Sequence, residues 1–182
     1  GRDDTGQIEF SWAGETARHV GTVVHRWLQR IAEDELQGWD GKRLAGLRAA
    51  VRDDLARRGV SAPELGQAGE RVLAALRNSL ADEKGRWVLG PHPRSFTEKR
   101  ICVLVNGALR RLVMDRVFEE PSGACWIVDY KTSAHEGADR EAFLDRERDR
   151  YAPQLALYAS AMAGSKPRTG LYFPLLRGWR EC

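Results

Sequence analysis

Asp129 and Lys131 stand two residues apart in Trp126-Ile127-Val128-Asp129-Tyr130-Lys131, a stretch that otherwise reads as a buried strand. Residues i and i+2 of a strand point to the same face. Ile127, Asp129 and Lys131 therefore share one side, and Trp126, Val128 and Tyr130 the other. A second acid, Asp115, lies in Arg110-Arg111-Leu112-Val113-Met114-Asp115-Arg116-Val117-Phe118, on the face of Val113 and Val117. If a three-residue turn occupies 121–123, cross-strand partners sum to 244 and Asp115 falls directly opposite Asp129. Opposed Cβ atoms lie about 4.5–5.5 Å apart. Two carboxylates at that distance repel, and burying them unpaired costs several kcal/mol. Something cationic must sit between them. Lys131 is one candidate, which would make the group a structural salt bridge at a strand end. A divalent ion is the other, because hard carboxylate oxygens suit Mg²⁺ or Mn²⁺. Taken alone, the residues leave both readings open.

Three further side chains bear on that choice. His25 lies in Gly21-Thr22-Val23-Val24-His25-Arg26-Trp27, at the margin of an apolar helical stripe rather than at its centre. On its own it reads as a packing or surface residue. Gln154 and Tyr158, in Gln154-Leu155-Ala156-Leu157-Tyr158, stand one helical turn apart on one face. Each would be unremarked without the acids.

The elements that must position these residues follow from periodicity. Residues 1–13 are polar and read as an arm. Val20, Val24, Trp27, Leu28 and Ile31 recur at helical spacing and predict a helix over 15–36. Two more helices are predicted over 44–58 and 64–80, and Gly90-Pro91-His92-Pro93 closes the helical part. The texture then alternates. Asn106-Gly107 is a strong hairpin signal and Pro121-Ser122-Gly123 a second turn, giving antiparallel strands over 97–105, 108–119 and 124–131. A charged stretch over 139–150, whose run 145–150 reads as a solvated segment or lid, leads into a helix that starts at Pro153 and ends at 163, Pro being comfortable in a first turn. A short strand over 171–175 follows. The fold class is mixed α/β (α+β): one domain over 1–182, with a helical part (14–90) carrying His25 and a sheet-containing part (91–182).

Bulk properties narrow the class. The chain has 182 residues, 42% of them hydrophobic and 30% charged, with a net charge of +3. That supports a real core and permits a polyanionic partner, but excludes a histone-like character. Cys102, Cys125 and Cys182 form no C-x-x-C pair, so zinc ribbons and iron–sulfur clusters are not expected. A reducing, cytoplasmic setting fits this usage. No apolar run reaches the length of a membrane span and no signal peptide is visible. The first residues, GRDDTG, lack Met and suggest a piece of something longer. Neither a G-x-x-x-x-G-K-[ST] phosphate loop nor a G-x-S-x-G elbow occurs.

The order Gly21-Thr22-x-x-His25, Asp115, Asp129-Tyr130-Lys131-Thr132, Gln154-x-x-x-Tyr158 resembles the RecB/AddA-type nuclease domain of the PD-(D/E)XK (restriction-endonuclease-like) superfamily. Such domains lie at the C-terminus of UvrD/Rep-like helicases or helicase-like proteins that process DNA ends. The resemblance covers residues 21–158. It implies a restriction-endonuclease-like core, a central mixed sheet flanked by helices with an N-terminal helical elaboration. It further implies that His25, Asp115, Asp129 and the main-chain carbonyl of Tyr130 ligate Mg²⁺ or Mn²⁺. Lys131 would position or activate water and stabilise phosphate charge. Gln154, Tyr158 and Arg116 would support the site or touch DNA, and Glu98 falls where the family often carries a Glu on its first strand. Leu112 departs from the pattern, which often has Gly three residues before the motif Asp. Arg110, Arg111, Lys99 and Arg100 are candidates for attracting phosphates, or else solvated strand faces. The implied function is a metal-dependent deoxyribonuclease in DNA repair or recombination, with DNA and helicase motor domains as partners. The alternative is a silent nuclease-fold module or interaction domain.

Overall fold

In the computed structural model, residues 5–135, 137–162 and 164–182 are described, those of 5–13 by backbone alone. The described elements run in the order α1 (Thr5–Glu33), α2 (Gly41–Gly46), α3 (Arg48–Arg57), α4 (Ala62–Ala81), α5 (Glu83–Leu89), β1 (Arg94–Val105), β2 (Ala108–Glu119), β3 (Cys125–Tyr130), α6 (Arg140–Ala161), β4 (Arg168–Phe173) and β5 (Gly178–Glu181). The strands form one mixed sheet in the order β1-β2-β3-β4-β5. β1 to β3 are an antiparallel meander, β4 runs parallel to β3 and β5 antiparallel to β4. A parallel neighbour cannot be reached by a tight turn, and α6 is the crossover that makes β3–β4 pairing possible.

Both hairpins follow the sequence signals. Asn106 and Gly107 take φ of 51° and 78°, the left-handed pair that a two-residue turn matched to strand twist requires. The second turn sets Arg116 opposite Val128 and Glu119 opposite Cys125. Every pair sums to 244, so the same register carried one residue further places Asp115 opposite Asp129.

The sheet is covered on both faces. Phe118, Trp126, Val128, Tyr130 and Tyr172 pack against α1, α3, α4 and α5 through Val24, Leu28, Leu55, Val72 and Leu76. Val117, Ile127, Leu171 and Phe173 pack against Leu144, Leu155 and Tyr158 of α6. This is the flanked mixed sheet of a restriction-endonuclease-like fold. Arg116 ties the helical layer to the sheet: it is only 1% exposed and donates to the carbonyls of Val88 and Gly90, both at 3.0 Å.

Two expectations are corrected. The arm expected over 1–13 is already helical from Thr5, and residues 1–4 lie outside the described ones. The charged run is no lid: α6 begins at Arg140, capped by the Asp139 carboxylate accepting from the Ala142 amide at 2.9 Å, and Pro153 lies inside the helix. The cap, and the ion pairs that Arg180 of β5 makes with Asp145 (2.6 Å) and Glu141 (2.7 Å), offset the missing amide of the proline. The expected end at 163 falls outside the described residues. β5, which carries Trp179, has no counterpart among the expected strands.

Candidate active site

The site is assembled where the end of β3 meets α1 and α6. His25 reaches it because α1 approaches closely at Gly21: a Cβ added there would stand 2.9 Å from Thr132 Oγ1. Gly21 has a second role, since its carbonyl accepts a hydrogen bond from His25 Nδ1 at 2.8 Å. That bond fixes the ring and leaves Nε2 facing Asp115 Oδ2 at 3.1 Å. The same Oδ2 accepts from the Tyr130 amide at 2.8 Å, so the middle strand's acid is held by the end of the next strand.

Asp129 is 6% exposed and pairs with Lys131 Nζ at 2.8 Å. The ammonium lies over the Tyr151 ring, 3.8 Å from its centroid. Lys131 is thus clamped between a carboxylate and an aromatic face, two positions that each favour a cation. Gln154 donates to the Tyr158 hydroxyl at 2.9 Å, one turn further along α6. Tyr151, Gln154 and Tyr158 form a stripe at i, i+3 and i+7, and Glu147 extends it by a turn, buried and accepting from Ser133 at 3.2 Å.

The electrostatics show a crowded pair of acids. Burial, then the charge of Asp115 beside it, push the Asp129 carboxyl up to about 7, against the pull of Lys131. Asp115 goes the other way: burial opposes its charge, but the hydrogen bond and charge of His25 hold it below the usual carboxylate range. Burial also disfavours a charged His25, yet Asp115 more than compensates and brings the imidazole up to about 9. Tyr158 is raised to about 12, by burial and then by the charges of Asp129 and Asp115. Tyr130 packs its ring 5.7 Å from that of His25, and its buried hydroxyl has no partner among the described residues.

His25, Asp115, Asp129, Lys131, Gln154 and Tyr158 come together at one end of the sheet. Glu98 stands at φ 45° on β1, opposite Asp115 by the register of that hairpin, and lines a cleft beside His25. A left-handed φ on a non-glycine residue costs on the order of 1–3 kcal/mol, and its carboxylate is held by Arg100 at 3.2 Å. Arg116 does not belong to the site. Its guanidinium is consumed by main-chain carbonyls in the core, so the expectation of a DNA contact or active-site support there is corrected. Leu112 is buried in the α6-side core, as a residue turned from the ligands should be. Tyr151 and Glu147 were missed. Their signal was the continuation of the Gln154/Tyr158 face one and two turns back, hidden by starting the helix at Pro153.

The donor set suits a hard divalent cation of mixed nitrogen and oxygen preference. Two opposed buried carboxylates hold each other's charge in check, and an imidazole tied through Nδ1 turns Nε2 towards them, the arrangement that orients a histidine ligand. Among the described residues no three His, Cys, Asp or Glu side chains form a preformed cage. The groups stand instead as two pairs, His25–Asp115 and Asp129–Lys131.

The family model of the PD-(D/E)XK nuclease superfamily matches residues 8–176. No curated protein sequence matches the chain. Among solved structures, protein VC1899 from Vibrio cholerae is similar at 13% identity and a TM-score of 0.29, over 91% of this chain and 48% of that one. The chain thus spans about half the length of that protein.

Proposed function

The chain belongs to the PD-(D/E)XK nuclease superfamily, and from that premise we propose that it is a divalent-metal-dependent deoxyribonuclease domain. On this reading it cuts phosphodiester bonds of single strands or DNA ends as the RecB/AddA-type nuclease part of a helicase–nuclease in DNA repair or recombination. Mg²⁺ or Mn²⁺ is the cofactor, DNA and helicase motor domains the partners, and the cytoplasm the setting. The observation that carries the reading is the convergence of His25, Asp115, Asp129 and Lys131, from three separate elements, on the end of β3.

His25, Asp115, Asp129 and the Tyr130 carbonyl would hold the ion, which when bound lowers the pKa of a water and draws charge from the phosphate. Lys131 does the rest of the electrostatic work from its own position. Asp129 and Tyr151 hold the ammonium rigidly in a partly buried place, where a fixed positive charge stabilises the charge developing on the phosphoryl oxygens more than it would in water. The same ammonium can donate a hydrogen bond to the attacking water and orient it. Gln154 and Tyr158, hydrogen-bonded to each other, wall the site on the α6 side. Tyr158 keeps its proton and acts as a donor rather than a base.

One observation favours a second reading, a silent nuclease-fold module. The two ion pairs already neutralise the cluster, and an ion must compete with His25's proton and with Lys131 to enter. Thermal melting with and without metal separates the two. For the nuclease, Mn²⁺ or Mg²⁺ at about a hundred times its Kd stabilises the chain by about 2.7 kcal/mol, a rise of roughly 5–10 °C for this size. Asp129→Ala removes the rise. A wild-type melting curve indifferent to both ions would favour the silent module.

A further inference from the structure

A cleft of about 590 Å³ opens directly beside His25, between α1, the end of α3 and β1. Its rim carries Arg18, Arg26 and Arg58, against Glu98 as its one acid, and Thr22 and Thr132 add hydroxyls. Arg18, Thr22 and Arg26 recur every four residues and so share a face of α1. Arg18 and Arg26 are two turns apart, about 12 Å along the axis, which matches three to four stacked nucleotides at about 3.4 Å each.

A second observation gives the charge of the ligand. Asp54 of α3 is 7% exposed, and three guanidinium groups surround its carboxylate: Arg58 at 3.2 Å, Arg26 at 3.4 Å and Arg57 at 3.8 Å. Arg26 and Arg58 line the cleft, and one acid cannot balance both, so positive charge remains at its mouth. Asp54 fixes the direction of Arg26 and Arg58, which long exposed side chains would otherwise lack. Arg18 is 68% exposed and its ion pair, among the described residues, is with the exposed Glu15, a contact that an incoming anion displaces at little cost. Glu98, the single acid, is already engaged by Arg100.

We propose that this cleft binds the phosphodiester backbone of the DNA strand being cut, with Arg18, Arg26 and Arg58 as positioning residues that deliver a phosphate to the His25 end. The inference rests on the nuclease reading above and adds the path of the strand along α1.

The test measures binding of a fluorescein-labelled, mixed-sequence single strand in EDTA, where cleavage does not intervene, over a range of salt. Arg18→Gln/Arg26→Gln/Arg58→Gln is compared with Arg48→Gln/Arg52→Gln/Arg77→Gln, which removes the same charge from helical surfaces outside the cleft. The cleft variant should bind at least about tenfold more weakly at low salt. Its log–log salt slope should be shallower by about two, at about 0.7 per lost phosphate contact on a single strand. The control should stay within about twofold of wild type. Should the triple cleft variant melt far lower, Arg18→Gln alone decides, since its ion pair is with the exposed Glu15; its slope should change by about 0.7. A cleft variant that binds as wild type, or a control that loses as much, overturns the assignment. If the wild type cleaves DNA while the cleft variant binds and cleaves equally, only the cleft falls. If the wild type binds no DNA, single-stranded or duplex, the nuclease reading falls with it.

Discussion

At the residue scale, the site's groups set one another's charge: His25 and Asp115 hold each other charged, while burial and Asp115 push Asp129 towards its neutral form. Asp129 is the most costly member, a buried carboxylate opposite Asp115. Asp129→Asn removes the repulsion while leaving the shape, so in EDTA the variant should melt within about 1 kcal/mol of wild type or above it. Its metal-dependent rise should vanish; a large loss of metal-free stability would instead mark Asp129 as structural. Tyr151 makes a sharper claim. If its ring holds Lys131, Tyr151→Leu should lower kcat by about tenfold with little change in KM, and Tyr151→Phe should keep most of the rate, because the contact is with the ring face. Equal losses in both variants would point to the hydroxyl. The paired acids were legible in the sequence because the turn at 121–123 fixes their register. Tyr151 was not, because Pro153 reads as a helix start and cuts the stripe just short of it.

At the element scale, placement of His25 depends on how near α1 can come to the loop after β3. Gly21 is the point of closest approach, and a helix interior would otherwise favour Ala by about 1 kcal/mol. Gly21→Ala should therefore cost activity, about tenfold, more than stability, because the new Cβ meets Thr132 Oγ1 and pushes the ligand-bearing helix away. Thr132→Ala in the same chain should restore much of the rate. Failure of the double variant to recover would mean that the helix is set elsewhere. Element types were readable from local periodicity, and so were both hairpins. The extent of α6 was not, since the forces that carry it through Pro153 are tertiary: Arg180 on β5 and the core beneath Leu144. The mixed sheet was expected only through the family resemblance, because local periodicity does not show that β4 pairs with β3 in parallel.

At the scale of the whole molecule, two layers meet across the sheet, and the junction is polar as well as apolar. Arg116 bonds the α5 carbonyls, and beside it His92 stacks on Phe118 at 4.0 Å while its Nε2–H donates to the Trp87 carbonyl at 2.7 Å. Burial, and then the Arg116 charge, hold His92 below its ordinary value of 6.5. A depressed folded-state value means that His92 contributes stability above about pH 6.5 and loses it as pH falls through the folded value. The fall in melting temperature between about pH 7.5 and pH 5 should therefore be smaller in His92→Gln than in wild type. An equal fall in both would show that His92 titrates alike in the folded and unfolded chain. The most direct measurement is made on the assembled site. The purified chain is incubated with labelled single-stranded and duplex DNA in Mn²⁺, Mg²⁺ or EDTA, beside a Lys131→Ala variant that melts as wild type does. The account predicts cleavage by the wild type in metal, none in EDTA and none by the variant. Cleavage that survives Lys131→Ala, or a metal-responsive wild type that leaves every DNA intact, would contradict it.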